Sequence, residues 1–239
     1  MIYGEPISPA LWHVLDMLLP LPATVLAYEA GLRLQRRCKG NALANPVLIA
    51  VVSVSVLLSG ISMPAADYAA GVQPLALLLG PATVALAVTI YRSLPKIREA
   101  IVAVLVSVVA AGTLAASAAT GLAALMGTPA VVVHSIATKS ATAAIAMAVS
   151  SQIGGEPSLA AGLSVITGIA GAVMCSWVLN ICGVRDRRAQ GLATGIAAHG
   201  IGTARMLGLD AEAGAFAGLG MSLTGLATGF VLPLVYAAM

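Results

Sequence analysis

Six stretches of this chain contain no Asp, Glu, Lys or Arg: Gly40 to Ala66, Tyr68 to Tyr91, Ala100 to Thr138, Pro157 to Val184, Ala189 to Ala204 and Ala213 to Met239. Most exceed the roughly 20 apolar residues that a helix needs to cross the hydrocarbon core of a bilayer. Only 9% of the residues are charged and the mean hydropathy is +0.99, whereas an ordinary soluble domain carries about 25% charged residues. The chain therefore reads as an all-α polytopic membrane protein. Ala, Gly and Ser abound while aromatic residues make up 4%; in lipid, small side chains let helix backbones approach closely.

The net charge of +3 sits in short clusters rather than on one basic face, which gives nucleic-acid binding no support. Met1 to Ala10 lacks a cationic start, and the apolar run that follows has no cleavage site, so a removable signal peptide is not expected. Cys38, Cys175 and Cys182 have no metal-ligand spacing, and the last two read as small core residues. With no nucleophile and base pair and no metal constellation in view, the expected class is not an enzyme and no cofactor is implied.

The first span is expected from about Leu11 to Leu32, kinked at Pro20 and Pro22. Asp16, His13 and His134 are expected at interfaces. Arg33, Arg36, Arg37 and Lys39 follow the first span as a basic loop, cytoplasmic by the positive-inside tendency, which places the N-terminus outside. A second span begins at Asn45-Pro46 and ends near Ser62. The segment containing Gly80-Pro81-Ala82-Thr83 is expected to break at its proline. Ala100 to Met126, Ser158 to Cys182 and the stretch ending at Met239 are further spans.

Two stretches put polar groups where lipid makes them costly. The first, Thr194 to Arg205, holds His199, Gly200, Gly202, Thr203 and Arg205. An arginine at mid-membrane costs roughly 3 to over 10 kcal/mol unless paired or hydrated, and each glycine lowers helix propensity by about 1 kcal/mol relative to alanine. A broken helix around a polar pocket is the expectation. The planar fork of Arg205 suits a carboxylate, His199 suits a proton-linked switch or a neutral donor, and Gly200 and Gly202 would expose backbone. The competing reading of Arg205 is a snorkelling side chain ahead of Asp210 and Glu212. The second stretch, His134 to Pro157, contains Lys139, the only Lys or Arg between Arg98 and Arg185, with Ser140 and Thr142 beside it. Gly154, Gly155 and Pro157 mark a turn and hinge there. Lys139 has a competing reading as a loop lysine, and Thr83 and Thr194 as hydroxyls bonded to their own helix.

A search for self-similarity finds a gapless match at a shift of 111 residues. Asn45-Pro46-Val47-Leu48 falls on Glu156-Pro157-Ser158-Leu159, Ser53-Val54 on Ser164-Val165, Gly60 on Gly171, and Gly80 and Thr83 on Gly191 and Thr194. The span from Asn45 leaves a basic loop whereas the span from Glu156 runs toward Arg185 to Arg188, so the two run in opposite directions. An inverted-topology repeat with interrupted segments meeting near the midplane is the architecture of many secondary transporters. It divides one transmembrane domain, 1–239, into halves of about 11–126 and 127–239. Inversion requires a non-crossing segment in each half. The charge count favours the Lys139 segment and repeat symmetry favours the pair around Thr83 and His199.

Lys139-Ser140-Ala141-Thr142, Ile153-Gly154-Gly155-Glu156-Pro157-Ser158, Ala198-His199-Gly200-Ile201-Gly202-Thr203-Ala204-Arg205 and Glu212-Ala213-Gly214-Ala215-Phe216 resemble the signatures of the LrgB/CidB family, and Asn45-Pro46 and Gly80 to Ala87 fit as well. The match covers nearly the whole chain. Thr89, Thr138 and Ala144 depart from it, standing where the family pattern has proline. The resemblance implies a multi-pass protein of the bacterial inner membrane with an elevator-like fold, related to the LrgB-like half of the plant plastid glycolate/glycerate transporter. The leading expectation is a carrier of small monocarboxylates (glycolate, glycerate, pyruvate or lactate) coupled to H+ or Na+. The anion would be held by Lys139, Ser140, Thr142, His199, Thr203 and Arg205, with Thr83 and Asn45 contributing, and a homodimer is expected. The alternative is an antiholin-like regulator of murein hydrolase export and cell lysis, acting with a small LrgA/CidA-like membrane partner.

Overall fold

The computed structural model of the protein describes residues 18–38 and 44–238; the readings of Leu11, His13, Asp16 and Lys39 lie outside the described residues. All regular elements among the described residues are helices, and three of them, 25, 25 and 27 residues long, are long and apolar enough to cross a membrane. The chain divides into two compact units, Met1–Ala85 and Leu86–Met239.

The first unit holds α1 (Pro20–Arg37), α2 (Pro46–Gly60), α3 (Ala65–Gly71), α4 (Gln73–Leu77) and the start of α5 (Leu79–Arg92). Pro20 and Pro22 stand in the first turn of α1 rather than inside it, where a missing N–H costs nothing. The expected kinks are absent from the helix body, and α1 continues through Arg33, Arg36 and Arg37 instead of stopping near Leu32. Gly31 lies against the backbone of Pro46, so the end of α1 meets the start of α2 and the two run antiparallel. Asn45 is buried and caps α2, its Oδ1 accepting from the amides of Val47 at 2.8 Å and Leu48 at 3.3 Å. Pro81 also differs from expectation. The interruption falls at Leu78, and Pro81 sits in the first turn of α5, which runs on unbroken to Arg92.

The second unit holds α6 (Leu94–Glu99), α7 (Ile101–Leu125), α8 (Ala130–Ala137), α9 (Ala143–Gln152), α10 (Pro157–Ile181), α11 (Arg187–Leu209) and α12 (Ala211–Ala237). Ile97, Val104, Val108, Leu192, Ile196 and Phe216 form its main apolar cluster. The helices α8 and α9 do not continue one another across the membrane. The amide of Glu156, just past α9, donates to Ser135 Oγ on α8 at 2.8 Å, and Ala137 packs with Val149 and Ile153. The far end of α9 has therefore returned to α8, and the pair is a helical hairpin whose tip is residues 138–142. The prolines missing at 138 and 144 are not needed for this break, because Thr142 adopts an extended conformation (φ −63, ψ 152) and starts a new helix.

The second fold-back lies within α11. His199 has φ 38 and ψ −129, and residues 187–198 and 200–209 form two separate arms. A Cβ on Gly202 would lie 2.8 Å from Thr194 Cγ2 and 2.9 Å from the Thr194 carbonyl oxygen, although residues eight apart on a straight helix are about 12 Å apart. Both arms also touch the start of α12: Gly191 packs on the Ala213 backbone, and Leu207 packs on Gly214. The Lys139 and His199 segments, read from sequence as alternative non-crossing candidates, both fold back.

The two hairpins enter the second unit from opposite ends. Lys96 ahead of α7 pairs with Glu212 at the start of α12 at 2.9 Å, which marks one basic end shared with Asp186 and Arg188. The second hairpin starts from that end, after α10 has run its 25 residues, about 37 Å, away from the end where the first hairpin starts.

Candidate functional site

The tips of the two hairpins meet at Ser164 on α10. This side chain is fully buried, and its Oγ donates to the Ala141 carbonyl at the first tip at 2.6 Å. Since that hydroxyl proton is engaged, His199 at the second tip supplies the other contact: its Nε2 carries a proton and donates to the Ser164 carbonyl at 2.9 Å, with Ser164 Oγ at 3.3 Å. The approach depends on Gly168, one turn beyond Ser164, where a Cβ would stand 2.6 Å from the imidazole Cε1. His199 itself is 4% exposed.

Each tip also starts a helix. The first amides of a helix have no acceptor inside it, and the N-terminus carries positive partial charge. Thr142 at the start of α9 makes no side-chain cap, and the second arm of α11 begins at Gly200. Lys139 adds a full charge to the first tip. Its Nζ lies 3.4 Å from Ser140 Oγ, and it takes part in no ion pair among the described residues. Chemically, this is a polar centre rich in donors with no acidic side chain in its hydrogen bonds, which suits a small anion. No group of acidic, histidine and cysteine side chains that could hold a metal occurs among the described residues.

The remaining sequence candidates fall into different places. Lys139, Ser140 and Thr142 share the first tip, and His199 and Gly200 the second. Thr203 is buried, but its Oγ1 donates back to the His199 carbonyl at 2.8 Å, and Thr194 does the same to Gln190 at 2.7 Å. Gly202 does not expose backbone as expected; it is the gap that lets the two arms touch Ala198 and Thr194. Arg205 is not brought to the tips. It lies six residues down the second arm, about 9 Å along the helix from His199. The Arg205 Nε is buried without a partner.

Gly154 (φ 80) makes the turn after α9, and Gly155 fits against Ser135 and Ser150 where a Cβ would not. Pro157 is the first residue of α10, capped by Glu156. Asn45 serves as a helix cap in the first unit, and Thr83 lies within α5 there. His134, read as interfacial, packs edge-on to Tyr236 with its Nδ1 buried and unpartnered. Sequence reading missed Ser164, Gly168 and Thr224. A hydroxyl and a glycine four apart on one helical face was the available signal for the first two.

Paired helical hairpins set among crossing helices define a polytopic membrane protein with a buried polar centre. The chain belongs to the LrgB-like family, which matches residues 24–238. It is 28% identical over 221 residues to a Staphylococcus epidermidis protein named holin-like protein CidB, covering 92% of this chain and 96% of that one. An uncharacterized Haemophilus influenzae protein is 32% identical over 213 residues (89% and 92% of the two chains), and Bacillus subtilis YwbG is 30% identical over 208 residues (86% and 91%). No solved structure matches.

Proposed function

We propose that the chain is a secondary carrier of the bacterial inner membrane for small monocarboxylates of the glycolate, glycerate, pyruvate and lactate class. The observation that carries this reading is the meeting of two oppositely entering hairpin tips at Ser164, where two helices begin, with Lys139 in the first tip beside Ser140. Interrupted helices whose N-termini face an anion near mid-membrane are how many carriers hold charged solutes. Alternating access follows if the hairpins open in turn toward their own ends. A further support is a second correspondence, at a shift of 57 residues, that lays Ala160, Thr167, Gly168 and Ala170 on Ala217, Thr224, Gly225 and Ala227. Each glycine of this pair faces the opposite hairpin, Gly168 meeting His199 and Gly225 meeting Ile145. We read the second unit as an elevator-like inverted pair of hairpin and helix, working as a homodimer and driven by a proton or sodium gradient.

The test is uptake of labelled glycolate, pyruvate and lactate into proteoliposomes. Lys139→Gln is expected to abolish saturable uptake, and unchanged activity after Arg205→Ala would remove Arg205 from the pathway. Absence of uptake under every imposed gradient rejects the carrier. A second reading is favoured more directly than the first by the name of the Staphylococcus relatives, holin-like protein CidB: a holin-like regulator of murein hydrolase export, acting with a small CidA-like partner. It predicts partner-dependent assembly and dye leakage from the same vesicles without saturable uptake.

A further inference from the structure

A hollow at the basic end of the second unit takes no part in the contact between the tips. It measures ≈ 410 Å³, lies between the first turns of α7 and of α11, and carries Glu99, Asp186 and Arg188 in its wall. Val104, Leu192 and Phe216, members of the main apolar cluster, line it more deeply. On the α7 side it is bordered by Ala103, which is exposed, and Ser107. The 25 residues of α7 reach about 37 Å, against about 30 Å of hydrocarbon in a bilayer. Its first two turns therefore lie where head groups meet acyl chains, and the hollow offers charge and apolar surface together at that level.

The three charged groups are not equally engaged. Asp186 is committed to its cap, its Oδ1 accepting from the amides of Arg188 at 2.7 Å and Ala189 at 3.3 Å and its Oδ2 from Arg188 Nη2 at 3.1 Å. Arg188 turns Nε and Nη2 toward Asp186, which leaves the two N–H donors of Nη1 without a partner among the described residues. Glu99 is exposed and takes part in no ion pair among the described residues. The hollow thus presents one uncommitted carboxylate and one uncommitted guanidinium edge. A head group that is only anionic would match Arg188 and meet two carboxylates, whereas a zwitterion with an ammonium and a phosphate matches both free groups.

We propose that this hollow is a binding site for a phospholipid with a primary-amine head group. The ammonium pairs with Glu99, a phosphate oxygen accepts from Arg188 Nη1, and an acyl chain leaves along Ala103 and Ser107. Lys and Arg at a cytoplasmic membrane surface ordinarily draw anionic lipids; the free carboxylate of Glu99 reverses that preference at this one place. Asp186, Arg188 and Leu192 lie at the start of the second hairpin, so the bound lipid also bridges that hairpin to α7. The site is independent of the reading of the tips and does not require the chain to be a carrier.

The experiment uses the full chain purified in detergent and reads the occupancy of added lipid by native mass spectrometry, with phosphatidylethanolamine, phosphatidylcholine and phosphatidylglycerol of identical acyl chains. Phosphatidylcholine keeps both charges but has no N–H to donate, and phosphatidylglycerol has no ammonium. Phosphatidylethanolamine is expected to bind about fivefold more tightly than either, the factor that one charged contact of about 1 kcal/mol at the membrane surface gives. Glu99→Gln should remove that preference, and Ala103→Trp, which fills the hollow from its exposed side, should remove saturable binding of all three. A measurement on the unmodified protein guards against variants that fail to fold: phosphatidylethanolamine with a diazirine near the glycerol end of one chain should label residues 99–107. Equal binding of the three lipids, a preference for phosphatidylglycerol, a preference that survives Glu99→Gln, binding unchanged by Ala103→Trp, or labelling confined to other segments overturns the site.

Discussion

The contact between the hairpin tips depends on the absence of one methyl group, which makes Gly168→Ala the sharpest test of it. The added Cβ would stand 2.6 Å from His199 Cε1, 2.8 Å from Nε2 and 2.9 Å from Ile201 Cδ1. Carbon atoms in contact prefer about 3.5–4.0 Å, so the imidazole has to retreat by about 1 Å. That displacement stretches the 2.9 Å bond from Nε2 to the Ser164 carbonyl beyond hydrogen-bonding range. The lost bond costs about 1 kcal/mol and overpacking a filled interior about 1–3 kcal/mol. Replacing glycine in a helix returns up to about 1 kcal/mol. The net is a destabilisation of about 1–3 kcal/mol. Gly162 provides the control on the same helix, because a Cβ there meets nothing within 4 Å and only the favourable propensity of about 1 kcal/mol remains. Thermal unfolding in detergent, followed by size-exclusion of the surviving fraction, should place Gly168→Ala below the parent and Gly162→Ala at or above it. Equal midpoints for the two variants would refute the packing of His199 on Gly168.

Other substitutions separate the tips from their surroundings. Ser164→Ala removes the hydroxyl bonded to Ala141 and should lower stability by about 1–2 kcal/mol, whereas Thr203→Val, losing a bond back to the His199 carbonyl and a longer contact with Met221 Sδ at 3.8 Å, should cost about 1 kcal/mol or less in the same unfolding assay. Asp186 caps α11 by accepting from the amides of Arg188 and Ala189, so Asp186→Ala should cost about 1 kcal/mol. The hydrogen bond from the Arg188 side chain, and then the amides of Ala189 and Arg188, hold the Asp186 carboxyl below its ordinary value. Its folded-state value is thus the lower one, and its contribution is complete above the ordinary carboxylate range and disappears as pH falls through the folded value. The gap between parent and Asp186→Ala midpoints should accordingly close in acid and stay constant at neutral pH. Glu212→Gln breaks a half-exposed pair with Lys96 and should change the midpoint by under about 1 kcal/mol, less still in high salt.

The spans were legible because bilayer crossing is a local requirement written in charge-free length. Ala100 to Met126 became α7, Ile101–Leu125, and Ser158 to Cys182 became α10, Pro157–Ile181. Asn45-Pro46 was read as the start of a span, which it is, and Glu156-Pro157 as part of a turn; that Asn45 and Glu156 are helix caps, and Asn45 thus not a solute ligand, is local chemistry of a single turn that the reading passed over. Pro81 misled because its effect depends on where the helix begins. Thr203 looked like a solute ligand because sequence shows a hydroxyl's presence and not which carbonyl it reaches, whereas Thr194 makes the own-helix bond that was its competing reading. A break near His199 was expected from its glycines and polar groups, but its position at one residue and the packing of the two arms were not legible. A single residue makes it, and the contacts that establish it join Gly202 to Thr194 and Leu207 to Gly214 across a reversal that has no periodicity of its own.

The backbone strain at His199 is offset by what its imidazole does. A non-glycine residue at φ 38 is held in a sparsely populated region, at a cost of about 1–3 kcal/mol. Glycine would adopt that backbone more easily, yet it would leave the Ser164 carbonyl without its 2.9 Å donor and the space over Gly168 empty. His199→Gly therefore exchanges relieved backbone strain for a lost hydrogen bond and a small cavity, contributions of comparable size and opposite sign. The unfolding midpoint should stay within about 1 kcal/mol of the parent while saturable uptake is lost, because the two tips are no longer tied through Ser164. A midpoint lowered by about 3 kcal/mol or more would mean that the imidazole is chiefly a structural strut. Preserved uptake with an unchanged midpoint would mean that the tips act independently of their bridge.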